Sequence, residues 1–154
     1  MKCTIYTDGG ARPTNPGHSG FACILNLNGN DYIISRYIGW RTNNVAEYFG
    51  VVTALKYALQ LGATEITIYT DSQLVRNQIE GNWRCKDDEL KVLQKESIEL
   101  LGKFVYWEIN WIKRDKNKQA DQLCTSAIYA GMRRTNRFMK KIPAGKEIDP
   151  FSQQ

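Results

Sequence analysis

Four carboxylates in this chain sit where a fold could bring them to one place. The pentapeptide Thr4-Ile5-Tyr6-Thr7-Asp8 recurs unchanged as Thr67-Ile68-Tyr69-Thr70-Asp71. Both copies alternate in the β pattern, so each delivers an aspartate at the carboxyl end of a strand. If the two strands are parallel neighbours joined by a right-handed crossover, the aspartates emerge side by side, at the edge where α/β proteins place their ligands. Glu47, in the first turns of a helix beginning near Asn43, and Asp121, in the first turn of the last helix, can reach the same edge. Four carboxylates gathered together repel one another and must be protonated or neutralised by cations. Hard divalent ions take oxygen ligands, and Mg²⁺ suits a few carboxylates plus phosphate oxygens. Two divalent ions, Mg²⁺ with Mn²⁺ as the alternative, held by Asp8, Glu47, Asp71 and Asp121, would perform metal-dependent phosphodiester hydrolysis. Singly, each acid has a plainer use. Asp8 can be a turn residue, Asp71 a helix N-cap, and Glu47 and Asp121 first-turn acids that favour the helix dipole.

The elements that must position these acids follow from the periodicities. Residues 2–7 read as a strand that ends at Asp8-Gly9-Gly10, followed by a Gly/Pro-rich loop to Gly20. Residues 21–27 and 32–39 flank the hairpin turn Asn28-Gly29-Asn30, giving an antiparallel meander. Val45, Phe49, Val52, Leu55 and Leu59 mark a helix closed by Gly62. Then come a strand at 66–70, a helix from Asp71 to Gly81, a helix headed by Asp87-Asp88, a strand at 104–112, and a last helix. In that last helix Ala120, Leu123, Cys124, Ala127, Ile128 and Gly131 form one stripe. The order βββαβααβα predicts an α/β fold with a mixed sheet, three antiparallel strands followed by parallel crossovers, and helices on its faces.

With 154 residues, 42% of them hydrophobic and 24% charged, the chain has the size and composition of one folded domain. The net charge of +5 is unevenly placed. Residues 132–154 carry six bases, Arg133, Arg134, Arg137, Lys140, Lys141 and Lys146, against Glu147 and Asp149, whereas residues 1–131 hold 15 bases and 14 acids. The expected division is a nearly neutral body, 1–131, and a basic extension, 132–154. Cys3, Cys23, Cys85 and Cys124 are scattered without zinc-like spacing, and Cys3, Cys23 and Cys124 fall in apolar patterns as buried small residues. No apolar run approaches a membrane span and the first residues form a strand pattern rather than a signal peptide. A cytoplasmic monomer is expected.

The segments DGGARPTNPGHSGFA, TNNVAEYFG, TDSQLV and NKQAD, in this order and at these spacings, resemble the motifs of type 1 ribonuclease H over residues 2 to about 131. The resemblance implies a ribonuclease H fold with a five-stranded mixed sheet. It also implies hydrolysis of the RNA strand of RNA/DNA hybrids, leaving 5′-phosphate and 3′-hydroxyl ends. Asp8, Glu47, Asp71 and Asp121 match the family's metal-binding catalytic acids. Asn15, Asn43, Asn44 and Gln73 match contacts to the hybrid's minor groove, including RNA 2′-hydroxyls, and Thr42 matches a DNA-phosphate contact. Amides suit that task, because they offer donor and acceptor to the group that distinguishes RNA from DNA. For Asn43, helix capping is a second, compatible role.

Two departures from the pattern are visible. The stretch Trp111 to Asp121 lacks the histidine that many members carry before the last aspartate. Arg114 stands near that place; it stays protonated and so can hold a phosphate without shuttling a proton. His18, the sole histidine, falls in the Gly/Pro-rich turn as an exposed loop residue. Residues 80–89 offer only Trp83, Arg84 and Lys86, so the basic protrusion of some members is absent, and Trp83 stacks on a sugar or packs in the core. These departures match a subgroup lacking both features. They leave two alternatives to the hybrid endonuclease: a nuclease of broader range that includes double-stranded RNA, and a non-catalytic hybrid-binding module. Phe138, Met139 and Ile142 would dock the extension, whose bases would add phosphate contacts.

Overall fold

The structure, a computed structural model, describes residues 1–140, with side chains described to Asn136. Five strands form one sheet: β1 (Lys2–Arg12), β2 (Gly17–Leu27), β3 (Asn30–Arg41), β4 (Glu65–Thr70) and β5 (Tyr106–Trp111). Four helices accompany them: α1 (Asn43–Gln60), α2 (Gln73–Ile79), α3 (Asp88–Leu101) and α4 (Lys118–Lys140). The sheet order is β3-β2-β1-β4-β5, antiparallel across β3-β2-β1 and parallel across β1-β4-β5. This is the predicted mixed architecture. Among the described residues no helix is long and apolar enough to cross a membrane.

The strand alternation divides the molecule into two layers around the sheet. Cys3, Ile5, Phe21, Cys23 and Leu25 face α1 and α3, joining Val51, Leu55, Ile66, Ile68 and Leu101 in the main core. The intervening Ala22 faces the other way, packing with Cys124 and Ile128 of α4. Helices therefore cover both faces. Tight approach of α4 depends on Gly131, where a Cβ would overlap the Tyr37 ring. All four cysteines are buried and free, and burial pushes the Cys3 thiol up to about 11 and the Cys23 thiol to about 12.

Three local expectations change. The segment expected as a Gly/Pro-rich loop is mostly strand: Asp8 to Arg12 pairs with His18 to Ala22, leaving residues 13–16 as the turn, with cis bonds at Arg12-Pro13 and Asn15-Pro16. His18 is consequently a half-buried strand residue, its Nδ1 2.7 Å from the Tyr37 hydroxyl and its ring edge-on to Trp40. The second helix begins at Gln73, because Ser72 accepts from the Val75 amide as its N-cap, so Asp71 is released from that duty. Helix α4 runs through Gly131 to Lys140; Phe138 and Met139 lie beyond the described side chains, and Ile142 and the last residues lie outside the described residues.

Candidate active site at the carboxyl ends of β1 and β4

The sequence repeat is a structural pair. Thr4 to Thr7 lie in parallel register beside Thr67 to Thr70, residue for residue, and the Tyr6 and Tyr69 rings stack with centroids 5.0 Å apart. Asp8 and Asp71 follow at adjacent strand positions. Glu47 joins them from α1 because Gly9 has no side chain: a Cβ there would overlap the backbone of Ala46 and Glu47. One carboxylate oxygen from each of Asp8, Glu47 and Asp71 lies within 4.8 Å of the others. Asp121, in the first turn of α4, stands beside Asp8 but outside that mutual radius.

The electrostatics show how unfavourable this gathering is without a cation. Burial, then Asp71 and Asp121, push the Asp8 carboxyl up to about 7. Glu47, 7% exposed, is raised well above the usual carboxylate range, first by burial and then by Asp8 and Asp71. Its Oε2 is buried with no hydrogen-bond partner. Burial also raises Asp71, opposed by a hydrogen bond from Asn117 and by the charge of Arg114. Among the described residues Asp8, Glu47 and Asp71 make no ion pair.

Around the acids lies a cleft of ≈ 330 Å³ whose lining includes all four, together with Gly9, Gly10, Arg12, Asn43, Asn44, Ser72 and Arg114. Asn43 does not cap α1: Thr42 does, accepting from the Val45 amide. Instead Asn43 Oδ1 accepts from the Ala11 amide at 2.7 Å, and the Asn43 amide donates to Asn15 Oδ1 at 2.9 Å, so the turn, β1 and α1 are tied together beside the acids. Asn15, Thr42 and Gln73 stand outside the lining, each next in sequence or hydrogen-bonded to a residue within it. Trp83 is 46% exposed in the connection between α2 and α3, away from the core. His18 does not line the cleft.

Two residues that the sequence did not single out shape the site. Asn117, buried just before α4, donates from Nδ2 to the Thr7 carbonyl at 2.8 Å and to Asp71 Oδ2 at 3.2 Å, fixing that carboxylate against β1. Arg12, at the end of β1, lies 3.6 Å from Asp121. Both fall inside the family-like segments, yet neither residue type reports its long-range partner.

The family described as reverse transcriptase-like matches residues 6–127. The bifunctional protein Rv2228c of Mycobacterium tuberculosis is 36% identical over 133 residues, covering 84% of this chain and 36% of its own length. Ribonuclease HI of Halobacterium salinarum is 36% identical, covering 80% of this chain and 62% of its own length. Ribonuclease H of Bradyrhizobium diazoefficiens is 33% identical over 81% of this chain and 88% of its own length. The chain thus spans only about a third of the mycobacterial protein but most of the Bradyrhizobium one. Among solved structures, the N-terminal ribonuclease H domain of the mycobacterial protein superposes with a TM-score of 0.82 at 34% identity, covering 86% of this chain and 97% of that domain's chain. LC11-RNase H1, solved in complex with an RNA/DNA hybrid, gives 0.78 at 34%, covering 84% of this chain and 99% of its own. A match spanning both flanks of the acidic cleft, with a relative covered nearly end to end, makes this chain a member of the ribonuclease H family.

Proposed function

We propose that the protein is an endonuclease that hydrolyses the RNA strand of RNA/DNA hybrids, using two divalent ions and leaving 5′-phosphate and 3′-hydroxyl ends. The observation that carries this is the trio of buried Asp8 and Glu47 and half-buried Asp71 within 4.8 Å, with Glu47 Oε2 left without a partner. An all-oxygen donor set with an orphaned buried carboxylate oxygen suits Mg²⁺ or Mn²⁺. Asp8, Glu47, Asp71 and Asp121 would hold the ions. Bound there, the ions supply an activated water and stabilise the charge that develops on the phosphate.

The chain's own residues do the rest. Asn117 orients Asp71, and Gly9 admits Glu47. Asn43, which lines the cleft, spends its Oδ1 on Ala11 and keeps its Nδ2 as a donor. Together with Asn15, Asn44 and Gln73 it would read the minor groove and RNA 2′-hydroxyls. Thr42 and Arg114 would hold backbone phosphates. Arg114 remains protonated and cannot pass a proton near neutral pH, and the only histidine is His18, so the chain fits a subgroup without the loop histidine. We place the nuclease body in residues 1–131, with the bases of residues 132–154 adding phosphate contacts.

A second reading rests on the α2–α3 connection, which offers only Arg84 and Lys86 in place of a basic protrusion. A reader of minor-groove shape without a grip on the DNA strand accepts double-stranded RNA as well. Side-by-side cleavage of end-labelled hybrid, duplex RNA and duplex DNA separates the readings. Hybrid cleavage with duplex RNA intact supports the first, cleavage of both supports the second, and binding to hybrid without cleavage of any substrate identifies a non-catalytic module.

A further inference from the structure

The acidic cleft has two arginines in its wall, and they are held differently. Arg114 is exposed on the short 3₁₀ turn Arg114–Lys116. Arg12 is half-buried and anchored: its Nη2 lies 3.6 Å from Asp121 Oδ1 and donates to Thr125 Oγ1 at 3.1 Å, one turn further along α4. The guanidinium is therefore fastened to the helix whose carboxylate it neutralises. An arginine keeps its charge at every working pH. The cleft is thus asymmetric, with Asp8, Glu47 and Asp71 lacking any ion pair among the described residues while Asp121 already has one.

We propose that Arg12 is a positioning residue that acts through Asp121, a resident counter-charge that keeps the Asp121 side of the cleft weak for cations until a polyanionic substrate arrives. The inference rests on the metal-dependent nuclease reading. A carboxylate that faces a guanidinium presents a nearly neutral pair to a second cation, whereas Asp8, Glu47 and Asp71 have no basic group within ion-pair distance among the described residues. Incoming phosphates add negative charge and give Arg12 an alternative partner. Complete loading of the site is then coupled to the presence of nucleic acid, which restrains free divalent ions from occupying the whole cleft on their own.

The test is a Mn²⁺ titration of the full chain without nucleic acid at pH 8 and fixed ionic strength, with free Mn²⁺ read by electron paramagnetic resonance. The wild type is expected to take up one ion strongly and any further ion weakly. In Arg12→Ala the weaker uptake is expected to strengthen roughly threefold to tenfold, or to become measurable where the wild type shows one ion only. Arg12→Gln, which retains a donor for Thr125 while losing the charge, is expected to match Arg12→Ala, and Arg12→Lys to stay near the wild type. Circular dichroism confirms that each variant is folded. Unchanged or weaker uptake in both uncharged variants overturns the role of Arg12 while leaving the metal site standing. No Mn²⁺ uptake by the wild type overturns both.

Discussion

The two halves of the acidic cleft are built in opposite ways. Asp8, Glu47 and Asp71 come from two parallel strands and the helix seated on them, are held by Gly9 and Asn117, and make no ion pair among the described residues. Asp121 comes from α4 on the other face of the sheet, is 38% exposed at its side chain, and is paired with Arg12. The trio is thus held together against its own desolvation, at the expense of stability, whereas the fourth acid is kept in balance by a neighbour. Breaking the trio should therefore harm chemistry far more than loosening what surrounds it.

The largest expected effect is on catalysis. Asp71→Asn or Glu47→Gln is expected to lower hybrid cleavage by on the order of a thousandfold or more, with hybrid affinity retained, as measured by single-turnover kinetics and fluorescence anisotropy. Next comes the residue that holds Asp71 in place. Asn117→Ala is expected to reduce kcat roughly 10- to 100-fold, the range for a group that orients a metal ligand, and equal kinetics in the folded variant would show that Asn117 does not position Asp71 for the reaction.

Desolvation of the trio also makes the protein's stability depend on pH. The Asp8 carboxyl titrates at about 7 in the folded protein against 3.8 ordinarily. Because the folded value is raised, the stability associated with this group is complete below about pH 4 and is lost as the pH rises through 7. Asp8→Asn is accordingly expected to stabilise the ion-free protein at pH 8 by on the order of 2 kcal/mol and much less at pH 4. Thermal melts at the two pH values check this, and an equal gain at both contradicts it.

Outside the cleft the effects shrink. Arg133 and Arg134 are exposed on α4, and neutralising both to Gln is expected to flatten the salt dependence of hybrid binding, by roughly one unit of slope for each phosphate left without its cation. An unchanged slope removes these bases from the substrate path.

Much of this is legible in the residues alone. The TIYTD repeat announces two parallel strands with their aspartates abreast, and the stripe of α4 puts Asp121 in the first turn of that helix, because alternation and helical period are local signals of burial. What escapes notice depends on contacts remote in sequence. Gly9 and Gly10 read as a turn, whereas Gly9 is required inside a strand so that α1 can approach, and the turn itself is displaced to residues 13–16. Gly131 reads as a stop, yet α4 continues through it to Lys140, and the position is a glycine because the Tyr37 ring occupies the place of a side chain. Asn117 and Arg12 act across 46 and 109 residues respectively, distances at which residue type alone carries no signal.

Gathered at the ends of β1 and β4, the acids should make this protein a metal-dependent ribonuclease H. The most direct test is cleavage of an RNA/DNA hybrid labelled in the RNA strand, titrated with Mg²⁺ and with Mn²⁺ and followed by analysis of the product ends. No cleavage is expected in chelator, cleavage is expected to be restored by either ion, and the products are expected to carry 5′-phosphate and 3′-hydroxyl termini. Absence of cleavage at every concentration of both ions, or cleavage that persists in chelator, would contradict this reading.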